Sequence, residues 1–138
     1  MILLDTSGLL AALDSGERTH ARAAATLACA KPPRLLSPFV LAELDYLLAA
    51  RVGHAARASV LEEVARGAYQ LQPFSGSDVA EALEVIRRHS DLGISLADAS
   101  IVVLAARHDA REVLTLDERH FHVLTAGGRP FHLLPADV

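Results

Sequence analysis

Four acidic side chains stand where their neighbours are apolar. The opening stretch, MILLDTSGLL, runs four apolar residues straight into Asp5. The segment VLTLD repeats that pattern at Asp117. Asp98 lies in SLADASIVVLAARH, with Ile94, Ser95, Ile101 and Val102 three and four residues away, the spacing of neighbours on one helix face. Glu43, in PFVLAELDYLL, is flanked at those spacings by Phe39, Val40, Tyr46 and Leu47. Asp45 is flanked just as closely by Leu41, Ala42, Leu48 and Ala49, so spacing does not choose between the two. Desolvated carboxylates are costly, and crowding them raises their pKa values further. Such a cluster is stable near neutral pH when the oxygens share a hard cation, and carboxylate and water ligands suit magnesium or manganese.

Each acid also has a plainer explanation. Asp5 and Asp117 fit N-caps of the helices that follow them. Ser95 and Asp98 fit a capping box, with the acid at the third helical position. Caps explain each site singly, but not why two strand tips and two interior helices all carry carboxylates. His120-Phe-His122 beside Asp117 has the donors for zinc, yet alternate histidines alone rarely suffice; a partly exposed helix face is the reading adopted. Cys29 reads as packing in an alanine-rich helix. The sequence holds no G-x-G-x-x-G, P-loop, G-x-S-x-G or C-x-x-C, which argues against a nucleotide held by a glycine loop.

The elements that must position these acids follow from apolar spacing and breakers. MILL reads as a buried strand, and the residues from Ser7 to about Asp14 as a helix. ERTHARAAATLACA, from Glu17, reads as a helix stopped by Lys31-Pro32-Pro33. RLLS is a second strand. Ser37-Pro38 is an N-cap followed by proline at the first helical position, opening a helix that ends at Gly53. HAARASVLEEVARG is a helix closed at Gly67, and AYQLQPF a third strand. SGSDVAEALEVIRRH is amphipathic, with Val79, Leu83 and Ile86 as its apolar stripe. SLADASIVVLAARH is helical and almost wholly apolar, REVLTLD is a strand, and PFHLLP is a last strand at an edge. Residues 124–130, LTAGGRP, read as a flexible loop. Strands alternating with helices predict a three-layer α/β/α sandwich with a mainly parallel central sheet. The carboxyl ends of its strands form the rim where ligands bind, which puts Asp5 and Asp117 together.

Composition narrows the classes. At 138 residues the chain predicts one domain, residues 1–138. A chain of this length buries roughly 70% of its unfolded surface, enough for a core without staples. Hydrophobic residues make up 51% and charged residues 22%, which excludes a disordered class. The single cysteine excludes an internal disulfide framework and fits a reducing compartment. No stretch approaches the roughly 18 apolar residues of a membrane span, and no basic leader is present, so the expectation is a cytoplasmic protein with no membrane partner. A net charge of −4 argues against duplex binding over a broad basic face. Lys31 is the only lysine among 13 basic residues, and Arg87, Arg88, Arg107, Arg111 and Arg119 are the candidates for holding phosphate.

Together LLDTSGLLAALD, SPFVLAEL, SLADASIVVLAARH and VLTLDERHF resemble the PIN-domain ribonucleases, and most closely the VapC toxins of bacterial toxin–antitoxin pairs. The resemblance runs over nearly the whole chain. It maps the family's acidic quartet onto Asp5, Glu43, Asp98 and Asp117, and chooses Glu43 over Asp45 by analogy alone. The family's hydroxyl positions correspond to Thr6 or Ser7 and to Thr115, groups that orient carboxylates or water. It implies a Mg²⁺-dependent (or Mn²⁺-dependent) endoribonuclease, a homodimer, and a VapB-like antitoxin inserted into the acidic pocket.

The mechanism expected on that basis is hydrolysis of an RNA phosphodiester by a metal-activated water. Asp5 and Asp98, assisted by Asp117, hold one or two ions, and Glu43 holds a second ion or positions the water. The products would be a 5′-phosphate and a 3′-hydroxyl. Two rivals fit less well. A receiver-like Mg²⁺-binding signalling domain needs a lysine near the pocket, whereas Lys31 sits in the Lys-Pro-Pro break. A haloacid-type phosphohydrolase needs an aspartate where Ser7 stands. A catalytically silent PIN-like module that binds RNA or protein is the remaining alternative.

Overall fold

In the computed structural model, which describes residues 1–137, a five-stranded sheet runs in the order β3-β2-β1-β4-β7 with every pairing parallel. Its strands are β1 (Ile2–Leu4), β2 (Arg34–Leu36), β3 (Gln70–Leu71), β4 (Glu112–Leu114) and β7 (His132–Leu134). The helices are α1 (Thr6–Leu13), α2 (His20–Cys29), α3 (Pro38–Arg51), α4 (His54–Ala65), α5 (Gly76–Arg88), α6 (Leu96–His108) and α7 (Glu118–Phe121). The α/β sandwich expected from the sequence is the architecture observed. No helix among the described residues is long and apolar enough to cross a membrane.

Strand order explains where a site can form. From β1 the chain moves outward through β2 to β3, then returns to lay β4 on the other side of β1. The crevice at the carboxyl ends of β1 and β4 is therefore the switch point where open parallel sheets bind ligands. Register makes those ends level, because Leu3 pairs with Val113 and Leu4 with Leu114. The Asp5 amide extends the ladder by donating to the Leu114 carbonyl at 3.0 Å. Gly8 permits the close approach of α1 to this edge, since a Cβ there would collide with the Leu114 carbonyl.

The core forms where the apolar runs meet. Leu3, Leu4, Leu35, Leu36, Val113, Leu114 and Leu133 are buried in the sheet, as expected for strands covered on both faces. Helix α6 is buried at nearly every position from Ala97 to Ala105, which is why its sequence is apolar all round. A buried hydroxyl relay fixes it to the start of α3. Ser100 Oγ donates to the Ala97 carbonyl at 2.6 Å, so its contact with Ser37 Oγ at 2.7 Å is one it accepts. Ser37 Oγ also caps α3 by accepting from the Phe39 amide. The helix bearing Glu43 is thereby tied to the helix bearing Asp98.

Several sequence expectations are corrected. Of the expected α5 stripe only Ile86 packs against the core; Val79 and Leu83 are each 42% exposed, and the buried positions of α5, which packs on α6, are Ala82 and Val85. The helix expected from Glu17 begins at His20, because Asp14 to Gly16 form a turn in which Asp14 Oδ1 accepts from the Gly16 amide. Gly53 closes α3 as expected, following the C-cap Val52 and donating its amide to the Leu48 carbonyl at 2.8 Å, and with φ of 133° it is also the N-cap of α4. Residues 124–130 contain a small antiparallel hairpin of β5 (Thr125–Ala126) and β6 (Arg129–Pro130) around two positive-φ glycines. Cys29 is exposed rather than packed.

Candidate active site

Asp5 sits immediately after β1 and is buried. It occupies the N-cap position of α1, yet its side chain makes no capping hydrogen bond. Instead, Ser7 Oγ donates to Asp5 Oδ2 at 2.8 Å and Thr115 Oγ1 donates to the same oxygen at 2.7 Å. Each hydroxyl has one proton and spends it here, so the 3.2 Å approach of the two hydroxyls is a contact between neighbours. Both are in turn gripped by backbone, Ser7 Oγ by the Leu116 amide and Thr115 Oγ1 by the Asp117 amide, each at 2.9 Å. Burial pushes the Asp5 carboxyl up from 3.8 to about 6; the Thr115 and Ser7 hydrogen bonds pull it partly back, and the nearby Asp98 charge adds to the rise.

Asp98 occupies the third position of α6 and completes the expected capping box. The Ser95 amide donates to its Oδ2 at 3.1 Å, and its own amide donates to Ser95 Oγ at 3.1 Å. Burial raises its pKa; the bond from the Ser95 backbone opposes this, the Asp117 charge reinforces it, and His120 offsets part. Asp117 is the N-cap of α7, its Oδ1 accepting from the His120 amide at 3.1 Å. Strand β4 stops at Leu114, so Asp117 lies three residues past the strand tip rather than directly on it.

The remaining acid is placed differently. Glu43 is exposed on α3, not desolvated on an apolar face as its spacing predicts. Its Oε1 accepts from Thr6 Oγ1 at 2.7 Å, which joins it to the residue after Asp5. Asp45, the alternative, turns to Arg57 of α4 and forms an ion pair there. The donor atoms of Asp98, Asp117 and His120 all lie within 4.8 Å of one another. His120 lies on a partly exposed face of α7, as its sequence context predicts, with its side chain 18% exposed; what that context does not show is that Nδ1 lies 2.8 Å from Asp117 Oδ2. Its signal was the spacing Asp117-Glu-Arg-His120, which folds the ring back over the cap once α7 forms. His122 points elsewhere and pairs with Asp137 at 3.1 Å, so the two histidines share no zinc site.

The donor chemistry fits a divalent cation: oxygens of two half-buried carboxylates and an imidazole nitrogen converge beside a third, buried carboxylate. The candidate phosphate contacts are sorted by their partners. Arg107 is taken up by Asp78 at 2.7 Å and Arg87 by Glu84 at 2.9 Å, while Arg111 donates to the Pro130 carbonyl. Arg88 and Arg119 have no ion-pair partner among the described residues.

Comparison with known proteins gives the chain's relatives. The PIN-domain family model matches residues 2–125. Over 135 residues the chain is 41% identical to Ribonuclease VapC26 of Mycobacterium tuberculosis (strain ATCC 25618 / H37Rv), spanning 97% of this chain and 100% of that protein. The crystal structure of Mycobacterium tuberculosis VapC20, a sarcin–ricin-loop-cleaving toxin, superposes with a TM-score of 0.79 at 24% identity, over 85% of this chain and 90% of that one. VapBC2 from Rickettsia felis, bound to a DNA fragment from its promoter, matches with a TM-score of 0.68 at 20% identity, over 96% and 98%. These two solved structures share the fold.

Proposed function

The chain belongs to the PIN-domain family, as a VapC-type member, and from that premise we propose that it is a Mg²⁺-dependent endoribonuclease, the toxin of a toxin–antitoxin pair. The observation that carries the reading is the convergence of the Asp98, Asp117 and His120 donor atoms within 4.8 Å, beside buried Asp5 at the switch point of the sheet. The 41% identity to a ribonuclease over nearly the full chain supports the same activity.

Asp5, Asp98 and Asp117 are the residues that would hold the ion, with Glu43 available for a second ion or for water. A bound divalent ion would supply positive charge to the scissile phosphate and a more acidic water. The protein's own work is positional. Ser7 and Thr115 lock Asp5 by two donors on Oδ2 and leave Oδ1 without a side-chain hydrogen bond. Ser95 fixes Asp98 through Oδ2 alone. Thr6 holds Glu43 by one oxygen, leaving the other to orient water. Exposed Arg88 and Arg119 bind phosphate away from the acids, and Tyr46, 72% exposed one turn beyond Glu43, offers a ring on which a base can stack.

The partners belong to the same proposal. A VapB-like antitoxin inserts into the acidic pocket, as befits a relative of paired proteins such as VapBC2. A homodimer would cover exposed apolar side chains such as Val79 and Leu83, and the cytoplasm is the compartment a lone cysteine fits.

The test uses purified, partner-free protein with structured RNA and Mg²⁺. Cleavage should vanish with EDTA and in both Asp5→Asn and Asp98→Asn, and its products should carry a 5′-phosphate and a 3′-hydroxyl. A cyclic phosphate product would mean attack by the ribose 2′-hydroxyl and would overturn the hydrolytic scheme. Cleavage surviving in both variants would indicate a contaminating nuclease.

A further inference from the structure

The carboxylate scheme makes no use of His120. Its Nδ1 is buried and satisfied by no hydrogen bond. The atom is close to two oxygens, 2.8 Å from Asp117 Oδ2 and 3.6 Å from Asp98 Oδ2, but neither lies along the direction a ring N–H would need. The backbone that carries the ring is held in place from two sides. Its own amide donates to Asp117 Oδ1, and the next residue, Phe121, is fully buried and packs edge-on against Phe131.

An imidazole nitrogen among carboxylates has two chemical explanations. As a protonated counter-charge, it would aim an N–H at one of the oxygens. As a lone-pair donor, it would share a cation with them, and no in-line bond to either is needed. The spacing favours the second. Adjacent ligands of an octahedral ion with bonds of about 2.1 Å lie about 3.0 Å apart, close to the observed 2.8 Å between Nδ1 and Asp117 Oδ2. The whole set, within 4.8 Å, is only slightly wider than the roughly 4.2 Å across such an ion.

We propose that His120 Nδ1 is a direct ligand of the divalent ion, completing with Asp98 and Asp117 a mixed nitrogen–oxygen set that favours Mn²⁺ over Mg²⁺. It rests on the metal-centre reading above and adds a ligand to it. Imidazole is a poor partner for magnesium, which keeps oxygen and water around it, and a good one for first-row transition ions. An Nδ1 ligand also requires the ring proton on Nε2.

The full-length protein, freed of metal and titrated with Mn²⁺, gives a readout independent of cleavage. Pulsed electron paramagnetic resonance should show ¹⁴N modulation from a directly bound nitrogen. That signal should persist in His122→Ala and disappear in His120→Ala. Competition titrations should find Mn²⁺ bound more tightly than Mg²⁺. Losing His120 should weaken Mn²⁺ by at least the roughly 10- to 100-fold that losing an outer-sphere partner costs, and Mg²⁺ much less. His120→Asn, which keeps a neutral donor near the Nδ1 position, covers the case in which the alanine variant fails to fold. It should lose the ¹⁴N signal while retaining part of the affinity. Saturable Mn²⁺ binding without ¹⁴N modulation, or modulation surviving in His120→Ala, would overturn the ligand assignment and leave the carboxylate centre standing. No saturable binding of either ion would overturn both.

Discussion

Asp5 yields a prediction whose size can be worked out. Its carboxyl is buried and its pKa is raised from 3.8 to about 6 by that burial, against the pull of the Thr115 and Ser7 hydroxyls. The folded protein therefore holds this proton more tightly than the unfolded chain does. Stability conferred by the protonated acid is present below about pH 3.8 and is lost as pH rises through about 6. The rise in pKa corresponds to about 3 kcal/mol of folding free energy lost by pH 7. Asp5→Asn removes the charge at every pH and retains an oxygen to accept the two hydroxyl donors. Its NH₂ is left without a partner in a buried site, at a cost of about 1 kcal/mol.

The net gain at pH 7 is then about 2 kcal/mol, or roughly 6 °C in Tm for a domain of this size. The assay is thermal or urea unfolding in EDTA at pH 4 and pH 7, wild type beside variant. The variant should be more stable at pH 7 and lose that advantage by pH 4, where wild-type Asp5 is itself protonated. A variant less stable by the same amount at both pH values would refute the reasoning. It would mean that Asp5 is retained for the bonds it accepts, with no electrostatic penalty in the apo fold.

The other predictions follow from single contacts. Thr115→Val removes a hydroxyl that lowers the Asp5 pKa, so the pH at which wild-type stability falls should move upward in the same unfolding series. Gly8→Ala forces a methyl group against the Leu114 carbonyl, and urea denaturation should show a loss of about 3 kcal/mol or more, because a backbone atom cannot swing aside. Ser95→Ala deletes the hydroxyl that accepts the Asp98 amide at the start of α6; urea denaturation should show a loss of about 1 kcal/mol of stability. Asp45→Asn breaks only a partly exposed pair with Arg57, so it should cost less than about 1 kcal/mol and leave RNA cleavage intact, whereas Glu43→Gln should slow cleavage with little change in Tm.

The parallel sheet and the meeting of Asp5 with the post-β4 segment were legible because strands and breakers were spaced plainly and the topology of such sheets is restricted. Glu43 was not legible. Its neighbours at helical spacing are apolar, but Phe39 and Leu47 are only partly buried and Tyr46 is exposed, so apolar flanks did not imply an apolar environment. The same error misplaced the α5 stripe: Val79 and Leu83 satisfied the periodicity as well as Ala82 and Val85 did, and only the partner helix decided which face was covered. His120 escaped because its role depends on a four-residue helix too short to carry any periodicity.

Capping and metal binding looked like competing explanations for the acids in the sequence. At Asp98 and Asp117 the cap is also the arrangement that the proposed ion site would use. A carboxylate at a helix start is held by backbone amides at a fixed angle, without cost in long-range packing. Asp98 spends Oδ2 on the Ser95 amide, and Asp117 spends Oδ1 on the His120 amide. Each cap leaves one oxygen of its pair without a backbone bond, which is what an ion-binding carboxylate requires. Asp5 lacks that support and relies on two hydroxyls from distant parts of the chain, Ser7 and Thr115. Local helix signals therefore orient two of the acids, and the parallel register of β1 and β4 delivers the third.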